Sequence, residues 1–272
     1  MSDLQGKSQK AIRLGTHGED YGSWMSNPVF YMVGGLTALA ALLAVLSFAV
    51  FHIFVPGILF VIIVAGLLAL LGWITWIRRQ YAFDGGRIME RVHQTILSHM
   101  DYDGKGTLLD VGCGSGALSI RAALTWQETK VVGIDYWAPV YNYSQALCEK
   151  NAVSEGAGDR CTFCRGDANK LDFPDGSFDA VVSNYVYHNI TGADKQQLLL
   201  ETLRVLKKGG VFALNDEMKP GMYGDMEAFA KKLRDMGYEE VRLIDTAKEV
   251  FGSHRRAAMM MLGESRMLVG RK

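Results

Sequence analysis

The chain has 272 residues, and its 29 basic and 29 acidic side chains cancel to a formal net charge of zero. With no basic stripe interleaved with aromatics, that balance excludes a protein built to grip a nucleic-acid backbone. The length suits one α/β domain of ordinary size plus a smaller helical element.

In chain order, residues 1–28 come first and carry Lys7, Lys10 and Arg13. From Tyr21 to Ile77 there is no Asp, Glu, Lys or Arg. Within this run, residues 29–51 and 56–77 are each about 22 residues long, or about 33 Å as helices, against a hydrocarbon core of about 30 Å. Only a tight turn separates them, so residues 29–77 read as a transmembrane hairpin. A cleaved signal peptide fits poorly, because the first stretch starts late and a second span follows it. Basic residues flank both ends, with Arg78, Arg79, Arg87 and Arg91 after the hairpin and none in its turn. Both termini are therefore expected in the cytoplasm. Tyr21, Trp24 and Tyr31 on one leg match Trp73, Trp76 and Tyr81 on the other as an aromatic belt. The small residues Gly34, Ala38 and Ala41, and Ala65, Ala69 and Gly72, suggest faces for packing leg on leg or for a homodimer. No ionisable residue sits at depth, so the hairpin reads as an anchor rather than a channel.

Residues 78–105 form a connector. Ile88, Val92 and Ile96 recur at helical spacing beside Met89, Leu97 and Met100, which predicts an amphipathic helix after the flexible Asp84-Gly85-Gly86. That helix is expected to cover the sheet, with a lid formed together with residues 81–86 as the alternative.

Residues 106–272 form the α/β domain. Its opening, Leu-Leu-Asp-Val-Gly-Cys-Gly-Ser-Gly at 108–116, is an apolar strand running into Asp110 and then a turn with Gly112, Gly114 and Gly116. Glycines let a backbone turn sharply and approach a ligand closely. A phosphate site wants backbone N–H groups facing an anion, whereas an acid at the strand end suits a cationic amino group. The next strand ends at Asp135, 23 residues after Gly112, where a carboxylate can accept ribose hydroxyls. Gly112, Gly114 and Ala117 also satisfy the looser nicotinamide fingerprint. The segments downstream separate the two readings. They are Gly166-Asp167-Ala168, the run Leu171-Asp172-Phe173-Pro174-Asp175-Gly176-Ser177-Phe178-Asp179, and Arg204-x-Leu206-Lys207-x-Gly209-Gly210.

Together these residues resemble the class I S-adenosylmethionine (SAM) dependent methyltransferases of type 11/25, with Asp110–Gly116 as motif I. The resemblance implies a Rossmann-like, seven-stranded, mostly parallel sheet with helices on both faces and a closing antiparallel strand pair. It also implies SAM as cofactor. By that resemblance Asp167 would accept from the adenine amino group, with the Ala168 backbone facing the ring. Cys113, Tyr136, Asn184 and Tyr185 complete the expected cofactor contacts, with Asp110 reserved for the amino group. The family's amino-directed DNA enzymes carry a Pro-Pro pair after strand four, which is absent here.

Methyl transfer needs an aligned nucleophile and exclusion of water, so a dedicated base is optional. Groups that act must stand at carboxyl ends of strands, which selects Tyr187 and His188 after strand four and Asp216 and Glu217 after strand five. His188 is the candidate base, Tyr187 is a second candidate, and Asp216 or Glu217 would steady a cationic acceptor. Cys161-x-x-Cys164 reads as packing in a central strand rather than a metal site, the cysteines as reduced thiols, and the methionine-rich run 257–262 as core. The expectation is an integral-membrane methyltransferase acting on a small, membrane-soluble acceptor. A SAM-binding sensor and a nicotinamide-dependent oxidoreductase stand as alternatives.

Overall fold

The computed structural model describes residues 12–22, 27–138 and 143–272; Lys7, Lys10 and Trp24 lie outside the described residues. The chain divides into two compact units. Among the described residues, one unit holds 27–87 and the other holds 12–22, 88–138 and 143–272.

The smaller unit is a helical hairpin. Helix α1 (Asn27–Val45) starts with Pro28, whose missing N–H costs nothing in a first turn, and continues into the π-helical turn Leu46–Val50. Helix α2 (Phe54–Tyr81) returns after a three-residue link in which His52 takes φ +53°. A Cβ at Gly57 would stand 2.6 Å from the Phe48 ring, so only glycine lets that ring lie against the start of α2. Arg78 Nη2 donates to Asn27 Oδ1 at 2.9 Å across the open end. The buried positions of α1 and its π-helical extension are Val33, Thr37, Ala40, Ala44 and Ser47, at alternating spacings of four and three. This corrects the expected small-residue faces: Ala38, Ala65, Ala69 and Gly72 point outward, because the buried stripe is offset by one residue from the one expected. Large apolar side chains also point outward along both legs, including Met32, Leu42, Val55 and Ile62.

The larger unit is built on a seven-stranded sheet of order β3-β2-β1-β4-β5-β7-β6. Its strands are β1 (Gly106–Val111), β2 (Thr129–Asp135), β3 (Cys161–Arg165), β4 (Phe178–Asn184), β5 (Leu206–Glu217), β6 (Glu239–Ile244) and β7 (Ser265–Arg271). Strands β1 to β5 run parallel, and β7 is antiparallel to both β5 and β6. The expected class and the closing antiparallel pair are both present. Helices cover both faces, so β1 from Leu108 to Val111 and β4 from Ala180 to Ser183 are buried continuously rather than at alternate residues. The helices are α3 (Ile88–Ser98), α4 (Ala117–Thr125), α5 (Gln145–Ser154), α6 (Lys195–Arg204), α7 (Pro220–Tyr223), α8 (Met226–Asp235), α9 (Thr246–Phe251) and α10 (His254–Met259). Ser144, Asp194, Asp225, Asp245 and Ser253 cap α5, α6, α8, α9 and α10, each side chain accepting a first-turn N–H.

The amphipathic α3 packs against β5, as expected of a helix covering the sheet, burying Ile88, Val92, Ile96 and Leu97, and Glu90 in its first turn pairs with buried Arg121 at 2.7 Å. Other placements differ from expectation. Residues 12–22, part of the N-terminal segment 1–28 expected ahead of the hairpin, fold onto the unit as a strap with Leu14 and Tyr21 buried. Strand β3 is an edge strand, not a central one, so Cys161 and Cys164 are half-buried free thiols. In the run 257–262, Ala257 and Leu262 pack inward, but Met259 and Met261 are about half exposed. The reason is that the segment is the end of α10 running into a turn at 260–261, with Met261 at φ +63°, and only one side of it meets the core.

Candidate functional site

The strand order reverses between β1 and β4, which opens a crevice beyond their carboxyl ends. The glycine turn stands there, with Gly112, Gly114 and Gly116 at φ +76°, +57° and +84°. Gly112 is sterically obligatory: a Cβ would lie 2.1 Å from Val186 Cγ2. Four of the turn's backbone donors are already engaged. Gly112 and Cys113 N donate to Ile134 O at 2.8 and 2.9 Å, Gly116 N donates to Cys113 O at 2.8 Å, and Gly114 N donates to Asp135 Oδ2 at 2.8 Å. A pyrophosphate would need those N–H groups itself, so the turn is a poor dinucleotide cradle. Asp135 is held from both sides, because Trp137 N donates to its other oxygen at 2.7 Å. Each oxygen keeps acceptor capacity toward the crevice, as a ribose diol requires. Trp137, which no sequence signal flagged, reaches back to donate from Nε1 to Gly114 O at 3.0 Å.

The other expected cofactor residues divide. Asp167 is exposed, with Oδ1 accepting from Asn169 N and Nδ2 at 2.9 and 2.7 Å, and Ala168 beside it is half-buried. Tyr136 lies exposed, with the Arg165 guanidinium 4.7 Å from its ring centre. Cys113 is buried, and desolvation together with the neighbouring Cys148 pushes its thiol well up, so it stays neutral. Asp110 needs correction. It is 1 % exposed, facing α4 beneath the turn, where Ser119 Oγ donates to it at 2.6 Å. Burial pushes its carboxyl up to about 7, so it is not the fixed charge expected, and it steadies the turn from below.

On the β4–β5 side, His188 follows β4 on a short 3-10 turn. Its Nδ1 is hydrogen-bonded to Asp216 Oδ1, and its backbone N donates to Asp216 Oδ2 at 3.2 Å. Asp216 is fully buried and also accepts from Glu217 N at 2.7 Å and Tyr223 Oη at 2.8 Å. Four donors thus hold one carboxylate, and it in turn fixes the His188 ring. Among the described residues nothing binds His188 Nε2, and the side chain is 29 % exposed. An imidazole oriented at one nitrogen by a buried acid and open at the other is the arrangement of a general base. Glu217 is buried beside it; Oε1 accepts from Glu264 N at 3.1 Å, Oε2 has no partner, and burial pushes its carboxyl up.

Two expected residues do not reach the crevice. Tyr187 is fully buried, its hydroxyl bonded to Thr202 at 2.9 Å on α6, so it is core rather than catalytic. Tyr185 takes φ +56° and bonds to Ser265 on β7 at 2.8 Å, across β5 and away from the cofactor turn. Asn184 is tied to Asn215, whose Nδ2 donates to its Oδ1 at 2.9 Å. An open depression of about 340 Å³ lies past the end of β5, lined by residues including Met218, Met226, Glu227 and Arg266.

Residues 109–214 match the family model for a methyltransferase domain. Over this segment the chain is similar to methyltransferase domains. The chain is 30 % identical over 151 residues to 27-O-demethylrifamycin SV methyltransferase of Amycolatopsis mediterranei, covering 56 % of this chain and 52 % of that protein. It is 30 % identical over 135 residues to a demethylmenaquinone methyltransferase of Symbiobacterium thermophilum, covering 48 % of this chain and 50 % of that protein. The fold is similar to geranyl diphosphate C-methyltransferase of Streptomyces coelicolor, with a TM-score of 0.53 at 13 % identity over 68 % of this chain and 80 % of that one. At that identity the likeness speaks for the fold alone. The chain spans about half the length of the curated relatives it matches.

On the cofactor side the residues present fit SAM. Asp135 offers two fixed oxygens for the ribose, and the unengaged Asp167 Oδ2 is open to a base amine. Sequence reasoning named His188, Asp216 and Glu217 separately but could not pair them. It missed Asn151 altogether: this α5 residue donates from Nδ2 to Ser115 O of the turn at 3.1 Å and to Asp20 O at 2.9 Å.

Proposed function

We propose that the protein is a membrane-anchored methyltransferase moving a methyl group from SAM to a small lipophilic acceptor at the cytoplasmic face. The observation that carries the reading is one chain holding both a segment that matches a methyltransferase domain and two long apolar helices of 24 and 28 residues, charged only at Arg78 and Arg79 in the last turn of the second. At about 36 and 42 Å, these helices exceed the hydrocarbon thickness, and their apolar side chains face outward where water would penalise them. Residues 12–22, before the hairpin, and 88–138 and 143–272, after it, belong to one folded unit. An even number of crossings is what such a connection requires. The outward small residues of the legs leave room for a second hairpin, a homodimer contact of the small-residue type.

Bound SAM supplies an electrophilic methyl carbon on a sulfonium. Asp135, Asp167 and the glycine turn hold and orient it. On the acceptor side, His188 Nε2 takes the proton from the acceptor's nucleophilic atom, while Asp216 keeps the imidazole in the tautomer and rotation that present that nitrogen. Glu217, half-desolvated next to it, offers a carboxylate to a positively charged acceptor. The names of relatives that act on a demethylmenaquinone and on a demethylrifamycin accord with a lipophilic acceptor.

The test is the full chain in detergent, incubated with methyl-labelled SAM and membrane lipid extract. Release of S-adenosylhomocysteine with label passing into the organic phase is expected. SAM binding without any release across lipid, quinone and thiol panels would instead favour a sensor. For topology, His52→Cys should react with a membrane-impermeant maleimide on intact cells. Labelling only after lysis, or loss of the protein in an alkaline carbonate wash, overturns the anchor.

A further inference from the structure

The strap 12–22 is fastened to the methyltransferase unit at three places. Arg121 Nη1 donates to Ile12 O at 3.1 Å. The Asn151 carboxamide brackets Asp20, accepting from its N at 3.2 Å and donating to its carbonyl at 2.9 Å. Between these, Glu155, just past the end of α5, accepts at Oε1 from Gly15 N at 2.7 Å and Tyr21 Oη at 2.9 Å. Its other oxygen faces outward into a small cluster. There His17 Nδ1 stands 3.8 Å from Glu155 Oε2 and 3.5 Å from Glu19 Oε1, and one ligand atom from each residue lies within 4.8 Å of the others.

The charge balance of this cluster is unusual. The Glu19 and Glu155 side chains are 0 % and 3 % exposed, and among the described residues no lysine or arginine pairs with either. Glu19 Oε2 accepts from His17 N at 2.8 Å, but Oε1 is buried without a hydrogen-bond partner and turned toward the imidazole. Two carboxylates withdrawn from water beside one another are costly unless a cation compensates them. The His17 imidazole itself is 65 % exposed, which leaves one side of the cluster open to solvent.

We propose that His17, Glu19 and Glu155 bind a divalent transition-metal ion of the zinc type, which clamps the strap to the end of α5. An imidazole with two carboxylates is a donor set for zinc and its neighbours, whereas calcium and magnesium take oxygen alone. Metal–ligand bonds of about 2.0–2.2 Å put tetrahedral ligands roughly 3.3 Å apart, so two of the observed separations need to close by only a few tenths of an ångström. The exposed side supplies the fourth position to water. Asn151 joins Asp20 of the strap to Ser115 of the cofactor turn. A fastened strap therefore also stiffens the wall of the SAM site.

The experiment uses the full chain in detergent, free of any polyhistidine tag and stripped with a chelator. It is titrated with zinc alone against a fluorescent zinc indicator. One equivalent should bind, with affinity weakened about tenfold or more by His17→Ala and by Glu19→Gln. His254→Ala, which removes an exposed imidazole 2.8 Å from Asp245, should leave it unchanged. His17 is exposed, so its replacement does not threaten folding. Zinc should also slow hydrogen exchange across the strap in the native chain and not in His17→Ala. Failure to bind zinc overturns the proposal. So does binding that survives both strap variants, or that follows His254 instead.

Discussion

Replacing Gly112 by alanine tests the glycine turn most directly, because its two costs can be separated. The residue sits at φ +76°, and a Cβ would lie 2.1 and 2.6 Å from Val186 Cγ2 and Cγ1. Carbon atoms pack at about 3.5–4.0 Å, so Val186 must move by an ångström or more. A left-handed backbone costs an L-residue about 1–2 kcal/mol, and overpacking adds about 1–3 kcal/mol. Gly112→Ala should therefore lose roughly 2–5 kcal/mol of stability. Gly156→Ala is the matched control, since its φ is +74° and nothing lies within 4 Å of the new Cβ; it should lose only about 1–2 kcal/mol. Adding Val186→Ala to Gly112→Ala removes the two nearest atoms and leaves Val186 Cβ at 2.9 Å, so most of the steric part should return. Denaturant unfolding of the full chain in detergent reads all three, and calorimetry with SAM should show affinity falling in step with the clash. If Gly112→Ala costs no more than Gly156→Ala, or Val186→Ala restores nothing, the steric account of the turn is wrong.

Other consequences are equally measurable. Asp135→Ala frees Gly114 N and Trp137 N and should weaken SAM binding by about ten- to a hundredfold, the worth of charge-assisted hydrogen bonds; an unchanged affinity would remove Asp135 from the site. His188→Gln and Asp216→Asn should each lower the methyl-transfer rate by about 10²–10⁴ with little change in SAM affinity. Full activity in Asp216→Asn would dissolve the dyad. Asp110 has a folded pKa raised from 3.8 to about 7, so the native state binds a proton that the unfolded chain releases in that window. Its contribution to stability accordingly falls as pH rises from about 4 to 7. Buried His93, pushed down from 6.5 to about 3, acts in the opposite sense, its contribution being lost as pH falls below 6.5. Asp110→Asn should therefore leave a stability that declines less between pH 5 and 7.5 than that of the native chain, and equal slopes would contradict the burial argument.

The parts legible in the sequence were those dictated by local backbone chemistry or by composition over a long window. Three glycines spaced by two permit the positive φ that a tight turn after a strand demands, so the turn and the strand before it could be read directly. Two long stretches free of charge are apolar on every face, and no tertiary context changes that. Side-chain direction was a different matter. Asp110 and Tyr187 stand at strand ends where a ligand could lie, yet one points beneath the turn to Ser119 and the other into the core to Thr202. One residue of register decides between crevice and interior, and pattern alone does not specify it. Residues far apart in the chain were equally hidden: His188 and Asp216 are 28 positions apart, and Gly15 and Glu155 are 140 apart. By itself the sequence determined the cofactor turn, the parallel sheet and the apolar hairpin, since each follows from what a short segment can or cannot do in water. Only the tertiary structure decided which acid orients His188, which acid is buried and proton-binding, and that the strap lies on α5, because those choices depend on contacts made when distant segments pack.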